Sequence, residues 1–369
     1  MSANAELVID LDQYRDNLAA LRAYAPEALQ MAVVKANAYG HGMAPMARAA
    51  RQGGADWLGV ATPEEALALR AAGDEGPLLC WLMTPGVPFG RLAEAGIDVT
   101  ASTVEQLEAI ADASDRPRVQ VKVDTGLSRN GAFGPEWDEL ARAAGRLQAA
   151  GRVEITGIWS HFACADEPGH PANDHQEAVF RAAVDQLAAE GVTTPLRHIA
   201  NSAATVVRPS SHFDLVRVGI ASYGLDPDPA VPVPEVRPVL TARTVLANVK
   251  RVPAGASVSY GWRWTAEHET TLGLVPVGYG EGIHRTASNK AHVGFAGTAV
   301  PVRGTICMDQ LVVDLGDRPA SIGDPVTLFG PGDDGEPTAE DWARAAGTIG
   351  YEIVTRLAGR WSRTYRGER

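Results

Sequence analysis

The chain has 369 residues, 45% of them hydrophobic and 21% charged, and a formal charge of −12. That describes a globular chain with room for two domains, or for one large barrel with an appendage, and excludes a disordered or fibrous one. The acidity, with no run of Lys or Arg, argues against a nucleic-acid partner; three scattered cysteines (Cys80, Cys164, Cys307) without C-x-x-C spacing make neither a disulfide framework nor a metal site, so a reducing cytoplasm and no metal are expected.

The first segment, MSANAELVIDLDQYRDNL, has no basic region followed by an apolar one, and no uncharged apolar run approaches the ~20 residues of a membrane span. A soluble, unsecreted protein is expected. Its strand-like AELVIDL (5–11) has no helix before it and is open to joining a later β region. Eight short apolar or β-branched runs follow: QMAVV (30–34), DWLGVA (56–61), PLLCWLM (77–83), GIDVT (96–100), RVQVKVD (118–124), EITGIWS (154–160), PLRHIA (195–200) and DLVRVG (214–219). Between them lie helical segments such as TPEEALALRAAG, with Thr62 as N-cap, Pro63 at the first helical position and Gly73 as the stop. Strands alternating with helices imply parallel pairing, and eight units over roughly 200 residues match a TIM-type (β/α)8 barrel better than an open doubly wound sheet.

After the eighth run the texture changes. DPDPAVPVPEVRP (226–238) carries five prolines and sustains neither a helix nor a central strand, which marks a domain boundary. Beyond it PVLTARTVLANVKRV, TLGLVPVGYG, AVPVRGTI, QLVVDL and DPVTLFG read as strands, and AEDWARAAG as one short helix before the tail. The expected division is a barrel over 12–230 and a mostly β domain made of 1–11 plus 236–369.

Barrel enzymes build their sites from the loops after the C-terminal strand ends. Here Lys35 follows run one; Lys122, Asp124 and Arg129 lie in and after run five; His161 follows run six; Asn201 and Ser202 follow run seven; run eight holds Arg217 and ends in Gly219 and Ile220. A serine after strand seven with glycine-bearing backbone after strand eight suits a phosphorylated ligand. A partly buried lysine beside it suits Schiff-base chemistry, either with a phosphorylated sugar, as in aldolases, or with pyridoxal phosphate. A lone lysine is usually a solvated surface charge. Gly40 and Gly42, which allow close backbone approach, and Tyr39, which can reach a phosphate oxygen, argue against that here.

VVKANAYGHG resembles the pyridoxal-phosphate attachment segment of the alanine racemase family. Further matches run in order along nearly the whole chain: IDLDQYRDNL, VKVDTGLSRNG, SHFACADE, HIANSAA, VRVGIASYG, VSYGW, VGYGEGIHR, RGTICMDQ and IGYEIVTRL. The resemblance implies a TIM-type barrel followed by a β domain, pyridoxal 5′-phosphate as cofactor, and a head-to-tail homodimer whose active sites draw on both subunits. It implies interconversion of L- and D-alanine by proton transfer at Cα, supplying D-alanine for cell-wall peptidoglycan.

Racemisation takes a proton from one face of Cα and delivers one to the other. By resemblance Lys35 serves one face and Tyr260 the other. A free tyrosine, with a pKa of about 10, is a poor base at neutral pH and needs support. His161 is the implied partner, placed between the tyrosine and Arg217, which touches the pyridine nitrogen. A carboxylate at that nitrogen would keep it protonated; an arginine leaves it unprotonated, which disfavours transamination. Arg129 resembles the arginine that meets the phenolic oxygen and the substrate carboxylate. Lys122 matches the lysine that many members carry as a carbamate. Tyr39, Ser202, Gly219, Ile220 and Tyr351 are implied to hold the phosphate, with Asn201 and Tyr279 nearby, and Met308 to offer its backbone N–H to the substrate. Cys307, without an assigned base, reads as structural; Arg285 and Asp309 shape the entrance. Trp262, Trp264 and Glu281 depart from the family's pattern, and aromatics so spaced more often pack a core or an interface. The DTG triplet is shared with aspartic proteases, but a single copy inside a βα array fits them poorly. The rival readings are a racemase of serine or of several amino acids, a noncatalytic pyridoxal-phosphate-binding protein, and a cofactor-free aldolase.

Overall fold

The computed structural model describes residues 5–193, 196–228 and 231–368. The first four residues of the expected β domain, Pro195 at the head of the seventh run, and Pro229 and Ala230 in the proline-rich segment lie outside these. Strand β1 (Ala5–Asp10) leads into a helix, Leu11–Tyr24, capped by the Asp10 carboxylate. Then come β2 (Leu29–Val33), β3 (Trp57–Val60), β4 (Leu78–Cys80), β5 (Asp98–Ala101), β6 (Arg118–Lys122), β7 (Glu154–Trp159), β8 (Leu196–His198) and β9 (Leu215–Val218). Each falls within or one residue outside a run seen in the sequence. Each strand from β2 to β7 pairs in parallel with the next, and β9 pairs in parallel with β2, setting Met31 opposite Arg217. Across the remaining seam the Arg217 N–H donates to Ala200 O at 3.1 Å and the Asp214 N–H to Arg197 O at 3.1 Å. The result is a nearly closed barrel.

Local chemistry supports each unit. The helix Pro63–Ala71 starts as its sequence indicates: Thr62 accepts from the Glu65 N–H, and the Glu65 carboxylate accepts in return from the Thr62 N–H, satisfying two donors that a helix start leaves unpaired. Inside the barrel, Met31, Trp57, Leu79 and Leu215 form an apolar cluster of their own, separate from the main core beneath the helices.

The second region comprises β10 (Leu240–Val245), β11 (Asn248–Val252), β12 (Thr270–Val275), β13 (His292–Phe295), β14 (Thr298–Arg303), β15 (Leu311–Gly316), β16 (Pro325–Phe329) and β17 (Ser362–Arg366). With β1 they make one nine-stranded sheet, ordered β11-β12-β15-β14-β13-β16-β10-β1-β17. β1 pairs antiparallel to β10 and parallel to β17. The run PVLTARTVLANVKRV proves to be two strands at distant places in the sheet, separated at the buried Leu246, whose N–H donates to Asp324 O at 2.9 Å. The tail holds two helices, Ala339–Ala346 and Gly350–Thr355, where one was expected, and ends in β17. β17, SRTYR, is an edge strand too polar to read as one from its sequence. Among the described residues no helix is long and apolar enough to cross a membrane, and no group of His, Cys, Asp or Glu is arranged to hold a metal ion.

The chain after β2 is unusual. Ala36, Asn37, Ala38 and Tyr39 all lie in the left-handed region, with φ of 53°, 54°, 53° and 51°. Each L-residue there costs about 1–2 kcal/mol, so local bonds must hold the turn. The Ala36 N–H donates to Glu65 Oε1 at 2.5 Å, the Ala38 N–H to Val34 O at 2.9 Å, and Asn37 Oδ1 accepts from the Met43 N–H at 2.9 Å. Gly40 (φ +86°) and Gly42 (φ +103°), expected to allow a close backbone approach, are approached by the second region. A Cβ on Gly40 would collide with the Val354 carbonyl, and one on Gly42 with the Tyr365 hydroxyl. Gly40→Ala therefore combines backbone strain with a clash against a carbonyl, and is expected to lower stability by about 2 kcal/mol or more. Urea unfolding of parent and variant measures it, and an unchanged midpoint would contradict the packing described.

Candidate active site

A cavity of about 670 Å³ opens where the barrel strands end. Lys35, Tyr39, Lys122, Arg129, His161, Asn201, Ser202, Arg217, Gly219, Ile220 and Tyr351 all line it. Tyr260, Met308, Tyr279, Arg285, Cys307 and Asp309 do not line it in the single chain.

Lys35 is aimed by the end of β2 and by the left-handed turn behind it. Its Nζ lies 5.7 Å from the Trp81 ring centre and 5.9 Å from that of Tyr39, with no hydrogen-bond acceptor among the described residues. Burial lowers its pKa, and the charges of Arg129 and Arg217 add to the effect against the opposing pull of Glu65. Lys122 sits at the end of β6, buried, with Nζ 4.1 Å from the Trp159 ring centre. Burial first, then Arg217 and Arg129, bring its pKa down to about 7.

Arg217 reaches inward from β9 and is buried. Its guanidinium donates to His198 Nδ1 at 3.0 Å, His161 Nδ1 at 3.0 Å, Ser160 O at 2.8 Å and Ile199 O at 3.1 Å. Every one of these acceptors is neutral. Burial lowers the pKa of Arg217 to about 9, still well above neutrality. It also holds His161 and His198 far below the ordinary imidazole range, reinforced by the charge of Arg217. Each histidine therefore accepts at Nδ1 and carries its proton on Nε2.

On the opposite wall Ser202 Oγ accepts from the Gly219 N–H at 2.9 Å, and Asn201 Oδ1 caps the short helix Ser202–Val207 through the Ala204 N–H at 3.0 Å. A Cβ on Gly219 would stand 2.6 Å from the Tyr39 hydroxyl, so only glycine lets serine, tyrosine and backbone close into one cup. Tyr351 closes the rim, its ring 6.4 Å from that of Tyr39. Burial raises the pKa of both phenols, so each is an O–H donor at neutral pH.

Four cations, Lys35, Lys122, Arg129 and Arg217, thus face a cavity whose lining, among the described residues, holds one carboxylate, Asp166. Such a site takes a ligand with several negative charges. Several participants escaped the sequence reading: Trp81 and Trp159, which wall the two lysines, His198 beneath Arg217, and Glu65, which ties the turn after Lys35. Only Glu65 had a legible signal, the capping box.

On the second region Tyr260 is 73% exposed, Trp262 76% and Met308 55%. Trp262 therefore does not pack the chain's own core, while Trp264 is half-buried with Arg303 over its ring. The Tyr260 loop is nonetheless held: Thr305 Oγ1 donates to Tyr260 O at 2.9 Å, and Ser259 Oγ to Thr305 O at 2.6 Å. Arg360 bridges Asp309 and the buried Glu281 beside Met308.

Comparison with known proteins gives a consistent picture. A family model described as alanine racemase, N-terminal domain, matches residues 9–227, and one described as alanine racemase, C-terminal domain, matches 239–365. A Frankia casuarinae protein named alanine racemase is 52% identical across 97% of this chain and 95% of its own length. The crystal structure of alanine racemase from D-cycloserine-producing Streptomyces lavendulae superposes with a TM-score of 0.97 at 51% identity, covering 100% of this chain and 98% of that one. An alanine racemase structure from Streptomyces coelicolor gives 0.96 at 51%, covering 99% and 98%.

The environment of Lys122 makes a stability prediction. With its folded pKa near 7 and its ordinary value at 10.5, the unfolded chain binds a proton that the folded chain lacks between those limits. Stability contributed by this group therefore rises with pH across that window and is lost as pH falls toward 7. In urea unfolding of the cofactor-free protein in bicarbonate-free buffer, the parent should gain more stability from pH 7 to 9.5 than Lys122→Met. Parallel pH profiles would contradict the assigned environment.

Proposed function

The chain belongs to the alanine racemase family, and from that premise we propose that it interconverts L- and D-alanine with pyridoxal 5′-phosphate attached at Lys35. The carrying observation is the cavity itself, in which, among the described residues, a lysine amine without an acceptor stands with three further cations and one carboxylate. The residues present fit the cofactor: the Gly219 cup with Ser202, Ile220, Tyr39 and Tyr351 suits its phosphate, and Asn201 braces that cup. Arg217, donor only, suits the unprotonated pyridine nitrogen, and Arg129 the phenolic oxygen and the substrate carboxylate. When bound, pyridoxal phosphate supplies the electron-withdrawing ring that acidifies Cα–H of the amino acid joined to it.

The protein's own groups move the protons. Lys35 Nζ, made easier to deprotonate by burial and by Arg129 and Arg217, takes or returns the Cα proton on one face. Tyr260 of the partner subunit serves the other, supported by His161, whose Nε2 carries a proton and whose Nδ1 is held by Arg217. The exposure of Tyr260, Trp262 and Met308, and their position off the chain's own cavity, support a head-to-tail homodimer in which the second region completes a neighbour's mouth. Met308 there offers its backbone N–H to the substrate carboxylate, and Tyr279, Arg285, Cys307 and Asp309 line the approach. In this division, 12–230 is the cofactor-holding barrel unit and 1–11 with 236–369 the unit lent to the partner. Lys122, with its amine half neutral near pH 7, suits carbamate formation, and the resulting anion would hold Arg129. The enzyme works in the cytoplasm and supplies D-alanine for peptidoglycan.

Loss of either base removes about 10²-fold or more of the rate. Mixing Lys35→Ala with Tyr260→Phe should then restore about a quarter of parental activity, since random exchange leaves one site in four with both bases. Activity absent despite demonstrated subunit exchange would contradict the shared site. In D2O, alanine should acquire Cα deuterium faster than any other amino acid; serine exchanging as fast would replace alanine with a broader substrate class.

A further inference from the structure

Behind Arg217 the barrel interior holds a row of polar side chains that the racemisation steps do not touch. His198 donates from Nε2 to Gln120 Oε1 at 2.7 Å. The Gln120 amide donates to Asp98 Oδ2 at 3.2 Å. Asp98 in turn accepts from Arg118 Nε at 2.7 Å and from Thr156 Oγ1 at 2.5 Å. His198, Gln120 and Asp98 are all buried. The fold makes specific room for this row: the β6–β7 register shifts between Val119 and Gln120, and a Cβ on Gly157 would stand 2.8 Å from Gln120 Cδ.

The direction of every bond in the row is forced. Arg217 has only donors, so His198 must accept at Nδ1. Asp98, paired with Arg118, is an acceptor, so the amide NH2 of Gln120 must face it and the amide oxygen must face His198. Reversing the amide would set its oxygen against the Asp98 carboxylate and its NH2 toward His198; a proton moved to Nδ1 would then point at the guanidinium. Two buried mismatches would replace two bonds.

We propose that Gln120, oriented by Asp98, is a positioning residue for Arg217: by keeping the His198 proton on Nε2 it keeps Nδ1 an acceptor and holds the guanidinium in place. This rests on the reading that Arg217 meets the pyridine nitrogen. A partner at one remove that sets a tautomer governs the group in contact, as outer partners do for metal-bound histidines.

The test compares cofactor-loaded Gln120→Met, close in size but without an acceptor at that position, Gln120→Glu, whose carboxyl takes a proton beside the Asp98 carboxylate and so donates to Asp98 while still accepting from His198, and Arg217→Lys. For Gln120→Met, kcat should fall about tenfold with KM within about twofold, as for loss of a tautomer-setting outer partner. Its visible cofactor spectrum should shift, and release of keto acid from alanine should rise about tenfold relative to racemisation. Gln120→Glu should stay within about twofold of the parent on all three readouts. Arg217→Lys should change them in the same direction as Gln120→Met and further. A parental spectrum and keto-acid ratio in Gln120→Met beside an altered Arg217→Lys would overturn the role of Gln120 while leaving that of Arg217. A parental spectrum in Arg217→Lys would overturn the underlying reading and this inference with it. Equal losses in Gln120→Met and Gln120→Glu would reduce Gln120 to packing and overturn its positioning role. Should Gln120→Met not fold, Asp98→Asn carries the same test: a smaller change in the same direction supports the proposal, and parental behaviour overturns it.

Discussion

A full positive charge buried without a carboxylate partner is the constraint on which the rest of this molecule turns. Arg217 spends its hydrogen bonds on two imidazoles and two carbonyls, and none of these neutralises it. The cost of burying an ion is offset only by well-placed dipoles or by opposite charge. The barrel supplies the dipoles and leaves the opposite charge to a ligand. Around this choice the other groups fall into place: both histidines are held neutral, both lysines are drawn toward the neutral amine, and the cavity is left with an excess of cations. An anionic cofactor then does more than occupy space, because it relieves the repulsion among these cations and so stabilises the folded chain as it binds.

The second constraint is conformational. Four successive left-handed residues would not persist in isolation, and they follow directly on the lysine that the chemistry needs. They are held from two directions. Glu65 secures Ala36 from the barrel side. From the second region, Arg363 Nε donates to Gly40 O at 2.9 Å and the Tyr365 hydroxyl to His41 O at 3.1 Å. Lys35 is thus aimed by both parts of its own chain, which explains why β17, remote in sequence and modest in appearance, belongs beside β1.

Much of this was legible in the sequence, and the parts that were not share a physical cause. The eight barrel strands read correctly because parallel strands covered on both faces are continuous apolar runs between turn signals. Lys35, Lys122, His161, Asn201, Ser202, Arg217 and Gly219 come together around one cavity because a barrel sets the ends of its strands around one mouth, so position in the chain implies position in space. β13 and β17 were invisible because short or edge strands carry polar residues and little periodic signal. Gln120 and His198 sit inside strands and look like ordinary alternation, since which face of a strand lies inside the barrel depends on its closure. Gly40 and Gly42 were correctly marked as close approaches, but what approaches them is Val354 and Tyr365, on segments more than 300 residues away in sequence.

The central claim is that the excess of cations exists to hold an anionic pyridoxal cofactor on one particular amine. Borohydride reduction of the cofactor-loaded protein, followed by proteolysis and mass mapping, tests it most directly. The account predicts a stable phosphopyridoxyl label on Lys35 alone, with Lys122 unlabelled although it faces the same cavity. Label on Lys122, or no label on either lysine, would contradict it.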